Sequence, residues 1–366
     1  MKSNLLKLKL ACVSLLSLAA IAAQAQFTPG DLVVVRVGDG TTTLANSAGP
    51  ISLLEINTGG TLIGSPISVP SGSGGLQISG TGTSEGQLVL NADHTALTLA
   101  GYVPPFTGSG SLSGRTAAQA PRGYVTIDYN RNVSATTTLP GATTYSGDNV
   151  RSVFASGTSL WFSGSKNGNP SGVVYYNGTS ASSVSNVNSR VLNDFNNNLY
   201  YSTGSGVTGI YKYSGLPTIS TASTPVITGV SGQGSNPYDF ALSPDGNTMY
   251  VADSDLGPQK FTFNGSSWTL AYNFTDTDTS GSKAFGLAVD FSGSNPVIYW
   301  SSPNDIWSAT DLGSSAAGTS ILLAGTDYAF RGLDFSPQPA PEPSTLALAG
   351  MGLTALWGFA RRNRKS

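Results

Sequence analysis

Between residues 27 and 340 apolar side chains recur at every second position in short runs, and Gly, Asn, Asp and Pro bound each run. Period two places alternate side chains on opposite faces of an extended chain, so the runs predict β-strands. Strands are expected at residues 31–37, 51–57, 62–69, 87–90, 96–101, 124–129 and 160–163. More follow at 173–177, 199–202, 210–213, 249–252, 259–263 and 268–274. This interior shows no convincing 3.6-residue period of an amphipathic helix.

The runs repeat. PYDFALSPDGNTMYVAD at 237–253 stands beside AFGLAVDFSGSNPVIYW at 284–300, with weaker copies at 85–99, 151–162 and 190–201. Each copy is an apolar strand, a polar turn and an aromatic-rich second strand. Asp-Gly and Asn-Asn in the turns supply the positive φ that a tight hairpin needs. The starts near 85, 151, 190, 237 and 284 are 66, 39, 47 and 47 residues apart. One four-stranded propeller blade takes about 40–50 residues. The long first interval contains a Gly/Pro/Ser-rich insertion at 104–121. A sixth start, FRGLDFS at 330–336, has no second strand behind it, while the N-terminal side offers three unpaired strands. One strand from the end and three from the start make a blade that closes a ring and buries both edges. The expected fold is all-β: a six-bladed β-propeller over residues 27–337. Seven blades, a β-sandwich or a β-helix are the alternatives. The turn Ser243-Pro244-Asp245-Gly246 and the strand MYVAD at 249–253 resemble YVTN- and NHL-like propeller repeats, over two blades well and three poorly.

The two ends read differently. Lys2, Lys7 and Lys9 precede an uncharged stretch, LACVSLLSLAAIAA, and then Ala23-Gln24-Ala25. A basic start, an apolar core and small residues at Ala23 and Ala25 form a signal helix over residues 1–25 that signal peptidase would remove. Cys12 lies early in the apolar run, not at its end, so it is no lipid acceptor. Near the other end, QPAPEPST at 338–345 is a Pro-rich linker. An apolar segment at 346–360 follows, and then a basic cluster, Arg361, Arg362, Arg364 and Lys365, within 361–366. Residues 344–360 as a helix would be about 26 Å long, short but adequate for a tilted or transient transmembrane helix. The basic cluster would stay cytoplasmic. Pro341-Glu342-Pro343, the apolar segment and the basic stop together resemble the PEP-CTERM sorting signal of Gram-negative bacteria that make extracellular polysaccharide. The resemblance covers residues 341–366. It implies processing by exosortase, export, a passing anchorage in the inner membrane, and a final place on the cell surface or in the extracellular matrix. It implies a destination and no activity.

Composition narrows the function. The whole chain has a net charge of −2, but residues 27–340 hold 4 Lys and 7 Arg against 17 Asp and 2 Glu, a net charge of −8. An acidic domain disfavours nucleic acid. One cysteine and one histidine exclude a disulfide framework, Cys-ligated zinc and His-built metal sites. His94 sits in a turn, and no strand-to-helix nucleophile elbow accompanies it. Asp276-Thr-Asp278-Thr-Ser280-Gly281 begins like a calcium loop, yet its twelfth position is Leu287 and not the closing Glu. Asp239, Asp290 and Asp334 fall near the same phase of three repeats. They are the candidate metal residues, with Ca²⁺ the cofactor they would take, as in metal-dependent six-bladed lactonases; the further Glu, Asn and His ligands of those enzymes find no match. Aromatic side chains such as Trp161, Tyr175, Tyr200 and Trp300 are candidates for stacking on sugar rings or for packing between strands. The expectation is a non-catalytic propeller that binds polysaccharide or protein. The alternative is a Ca²⁺-dependent hydrolase or lyase.

Overall fold

The computed structural model describes residues 25–229, 236–276, 283–314 and 316–340. The signal helix, the calcium-like loop beyond Asp276, and the sorting, transmembrane and basic segments lie outside the described residues. Six four-stranded antiparallel sheets form a six-bladed β-propeller. Blade 1 pairs Tyr328–Phe335 with Leu32–Gly38, Ile51–Ile56 and Ile67–Ser68 in that order. Blade 2 is Leu88–Leu90, Ala96–Tyr102, Arg122–Asp128 and Thr137–Thr138. Blade 3 is Val150–Ser156, Ser159–Gly164, Val173–Tyr176 and Ala181–Ser185. Blade 4 is Leu192–Phe195, Asn198–Thr203, Gly209–Lys212 and Thr224–Thr228. Blade 5 is Pro237–Leu242, Thr248–Asp253, Gly257–Phe263 and Trp268–Asn273. Blade 6 is Leu287–Asp290, Val297–Ser301, Asp305–Thr310 and Thr319–Leu323. The first strand of each blade contacts the next blade's first strand, except that blade 4 reaches blade 5 through Asn198–Thr203.

The closing blade is built as the repeat pattern anticipates. Leu32 pairs with Phe335, Val33 with Asp334 and Val34 with Leu333. Its outer strand is much shorter than the expected 62–69. Leu62 makes one bridge to Ile56, and regular pairing resumes only at Ile67–Ser68. Gly64, at φ 67°, and Pro66 between them bend the chain out of the ladder.

The apolar core is divided into layers between blades. Val33, Val35 and Leu53 of blade 1 meet Leu97, Leu99 and Val125 of blade 2. Tyr250 and Phe274 on the blade 5 side meet Trp300 and Trp307 of blade 6. Trp161 and Trp300 are 2% and 0% exposed, so these rings fill inter-blade space and are not surfaces for stacking a sugar. Trp161 also donates Nε1–H to the Pro217 carbonyl at 2.6 Å. The hairpin turns follow the sequence chemistry: Asn196, Asn197 and Gly246 have φ of 51°, 57° and 72°.

Candidate functional site

The first strands of blades 1, 2, 4, 5 and 6 end at the same mouth of the ring. At that end lies a cavity of about 720 Å³, within the span of about 300–1,000 Å³ usual for small-ligand pockets. Five blades line it. Leu88–Ala92 and His94 come from blade 2, Asn193–Asn196 from blade 4, Asp239–Leu242 from blade 5, Leu287–Ser292 from blade 6 and Asp334–Ser336 from blade 1. Gly30 and Gln338 complete the rim. The lining carries Asp194, Asp239, Asp290 and Asp334 but no lysine or arginine.

All three candidate metal residues therefore face one cavity, but their carboxylates are engaged with backbone. Asp239 accepts from Phe240 N at 2.8 Å and from Leu287 N, in blade 6, at 2.9 Å. Asp334 accepts from Phe335 N at 2.8 Å and from Leu90 N, in blade 2, at 2.9 Å. Asp290 accepts from Ser292 N at 2.8 Å in its own turn. Among the described residues no group of three or more His, Cys, Asp or Glu is placed to hold a metal ion.

A ring-wide rule explains the buried Asp239 and the half-buried Asp334. In the motifs Trp161-Phe162-Ser163, Tyr200-Tyr201-Ser202 and Tyr299-Trp300-Ser301, the serine hydroxyl donates to a carbonyl in or just before the next blade's first strand. The acceptors are Arg190, Tyr238 and Arg331. Thr98 does the same for blade 3 through Val153. The two remaining junctions have no such hydroxyl: Ala252 follows Tyr250-Val251 in blade 5, and blade 1 has an aliphatic second strand. Asp239 and Asp334 stand at those two junctions. The aromatic-aromatic-serine triplets were readable in the sequence, but their role becomes apparent only once the ring is closed.

Burial dominates the electrostatics. It raises the Asp239 carboxyl far above the usual range, and the neighbouring Asp334 adds to this, while the Leu287 and Phe240 N–H groups oppose it. Burial likewise pushes Asp334 up to about 7 against its two N–H bonds. Asp194 is raised by burial, with His94 and the Asn197 N–H pulling it back. His94 is exposed, adopts φ 58° in the blade 2 hairpin, and accepts Gln338 N on its carbonyl at 2.7 Å. The rim residues Asn193, Asn196, Ser292 and Gln338 carry no catalytic motif, and nothing in the sequence marks them.

Comparison with known proteins adds the C-terminal segment. Residues 339–365 match the model of the PEP-CTERM protein-sorting motif. No curated protein matches the chain. Among solved structures it is similar to one chain of a nidogen/laminin complex, at 12% identity and a TM-score of 0.48, covering 84% of this chain and 100% of that one. It is also similar to a protein assigned as a 6-phosphogluconolactonase from Bacteroides fragilis, at 14% identity and a TM-score of 0.45, covering 84% and 98%. A gluconolactonase from Xanthomonas campestris shares 11% identity at a TM-score of 0.44, covering 87% and 97%. The chain is a six-bladed β-propeller that carries a PEP-CTERM sorting motif at its C-terminus, the mark of a protein exported and sorted to the cell surface by exosortase.

Proposed function

We propose that this propeller is a non-catalytic surface or matrix protein that binds a neutral segment of extracellular polysaccharide in the cavity at the mouth of the ring. Signal peptidase removes residues 1–25, and the segment at 346–360 holds the chain in the inner membrane until exosortase acts. The observation that carries the reading is the 720 Å³ cavity formed jointly by five blades. Its amide, hydroxyl and carboxylate groups offer both donors and acceptors to sugar hydroxyls, between walls that include Val89, Leu242 and Phe291. The lining holds no lysine or arginine to pair with an anionic sugar, so uronates and sulfated chains are disfavoured. A hydrolase built here would need a free carboxylate pair or a cation. Asp239 and Asp334 would have to give up Leu287 N and Leu90 N to supply either.

A glycan array probed with residues 25–340 tests this. Retention on neutral glycans, and none on uronate-rich ones, is the expected outcome. Retention on anionic glycans alone would overturn the assignment.

A further inference from the structure

We propose that the cavity end of the ring faces the membrane while residues 341–366 remain attached, so that removing this segment opens the cavity to large ligands. The proposal rests on the anchoring reading given above and adds an orientation and a consequence to it.

The path of the chain carries the argument. Tyr328–Phe335 runs toward the cavity, and its neighbour Leu32–Gly38 is antiparallel to it and runs away. Both ends of the propeller chain therefore leave on the cavity side. Ser336 is fastened there twice: its N–H donates to the Asp31 carbonyl at 2.8 Å and its Oγ to the Thr28 carbonyl at 2.6 Å. Two residues later Gln338 N donates to the His94 carbonyl at 2.7 Å. Gly30, His94, Ser336 and Gln338 all line the cavity. The chain thus enters the sorting motif, matched from residue 339, directly from the cavity rim.

The tether is short. From Gln338 to Leu346, where the apolar segment begins, an extended chain spans at most about 29 Å. Such a tether holds the rim close over the bilayer and leaves the opposite end outermost. That opposite end bears the long connections at 39–50 and 103–121. They are fastened to one another and to the ring, with Leu112 N donating to the Asn46 carbonyl at 3.2 Å and Gly80 N to the Ser47 carbonyl at 3.0 Å. Small solutes would still diffuse under the ring, whereas a polymer or protein would meet the membrane first. Exosortase processing would then switch the cavity from covered to available.

Single-cysteine labelling tests the proposal cleanly because residues 26–366 contain no cysteine. Ser292→Cys and Ala92→Cys place an exposed thiol at the cavity rim, and Ser205→Cys places one in an exposed connection at the opposite end. Residues 26–366 are bound to phosphatidylcholine–phosphatidylglycerol liposomes, recovered by flotation and treated with a bulky polyethylene-glycol maleimide. Residues 26–340, which contain every strand of the ring, serve as the soluble control. Loss of labelling at positions 292 and 92 on liposomes, with full labelling at 205 and at all three positions in the control, is expected. Equal labelling at both ends of a floated chain, or protection of 205 instead, overturns the orientation and leaves the anchoring intact. Failure to float overturns the anchoring, and the orientation with it.

Discussion

Asp239 and Asp334 show how a residue suited to metal binding serves closure of the ring. Each stands where the neighbouring strand has no hydroxyl at the bridging position, and each offers its carboxylate to a backbone N–H of the next blade. Asp239→Ala should strand the buried Leu287 and Phe240 N–H groups and cost about 1–3 kcal/mol, read as a lower urea midpoint. Ala252→Ser should restore part of that loss by supplying the missing hydroxyl, which a metal-binding role would not predict. Asp334 also sets a pH dependence. Its carboxyl is raised from 3.8 to about 7 in the folded chain by burial, so the folded state holds the proton more tightly. The stability it contributes is full below the unfolded value and is lost as pH rises through the folded one. The melting temperature should therefore be higher near about pH 5 than near about pH 8, and Asp334→Asn should flatten that slope. A slope unchanged by the substitution would refute the assignment.

Between strands, a polar cluster joins blades 5 and 6. Asp311 lies just beyond Asp305–Thr310 and takes Lys260 Nζ at 2.6 Å together with the Tyr250 and Tyr272 hydroxyls. Burial would raise its carboxyl, but these three donors outweigh burial and hold it below its usual value. Here the sign is opposite to Asp334: the stability is present above the unfolded pKa and is lost as pH falls through the lower folded one. Asp311→Ala should cost about 3 kcal/mol, because it leaves an ammonium, the buried Tyr250 hydroxyl and the half-buried Tyr272 hydroxyl without their acceptor; a urea titration reads it. The strands themselves were legible as short apolar runs bounded by turn residues: inner strands such as Val150–Ser156 are buried on both faces, and alternating burial appears in outer strands such as Trp268–Asn273. Blade spacing and the unpaired first and last strands then supplied the closure. The outer strand of blade 1 was overread, since residues 62–69 are apolar enough to look continuous although Gly64 and Pro66 break the ladder. The tryptophans were ambiguous because an inter-blade layer and a sugar platform call for the same residues. The cavity was least legible. Its rim is assembled from hairpin positions in five blades, and Asn193, Ser292 and Gln338 have no local pattern to connect them.

At the scale of the molecule, closure and sorting meet at one end. Removing residues 330–337 deletes most of the strand that pairs with Leu32–Gly38 and exposes an apolar edge, Val33 to Val37. That truncated chain should aggregate, and a monomer with an unchanged melting profile would contradict the closed ring. Mass spectrometry of the exported protein should find residues 1–25 and the segment after Pro343 absent; an intact tail would contradict processing. The central claim is that the mouth of the ring is the binding site. Its most direct test is a calorimetric titration of a neutral oligosaccharide into residues 25–340 and into Asn193→Trp, which places a bulky ring in the cavity. The account predicts binding to the natural chain and none to the variant, with both melting alike. Equal binding by the two would contradict it.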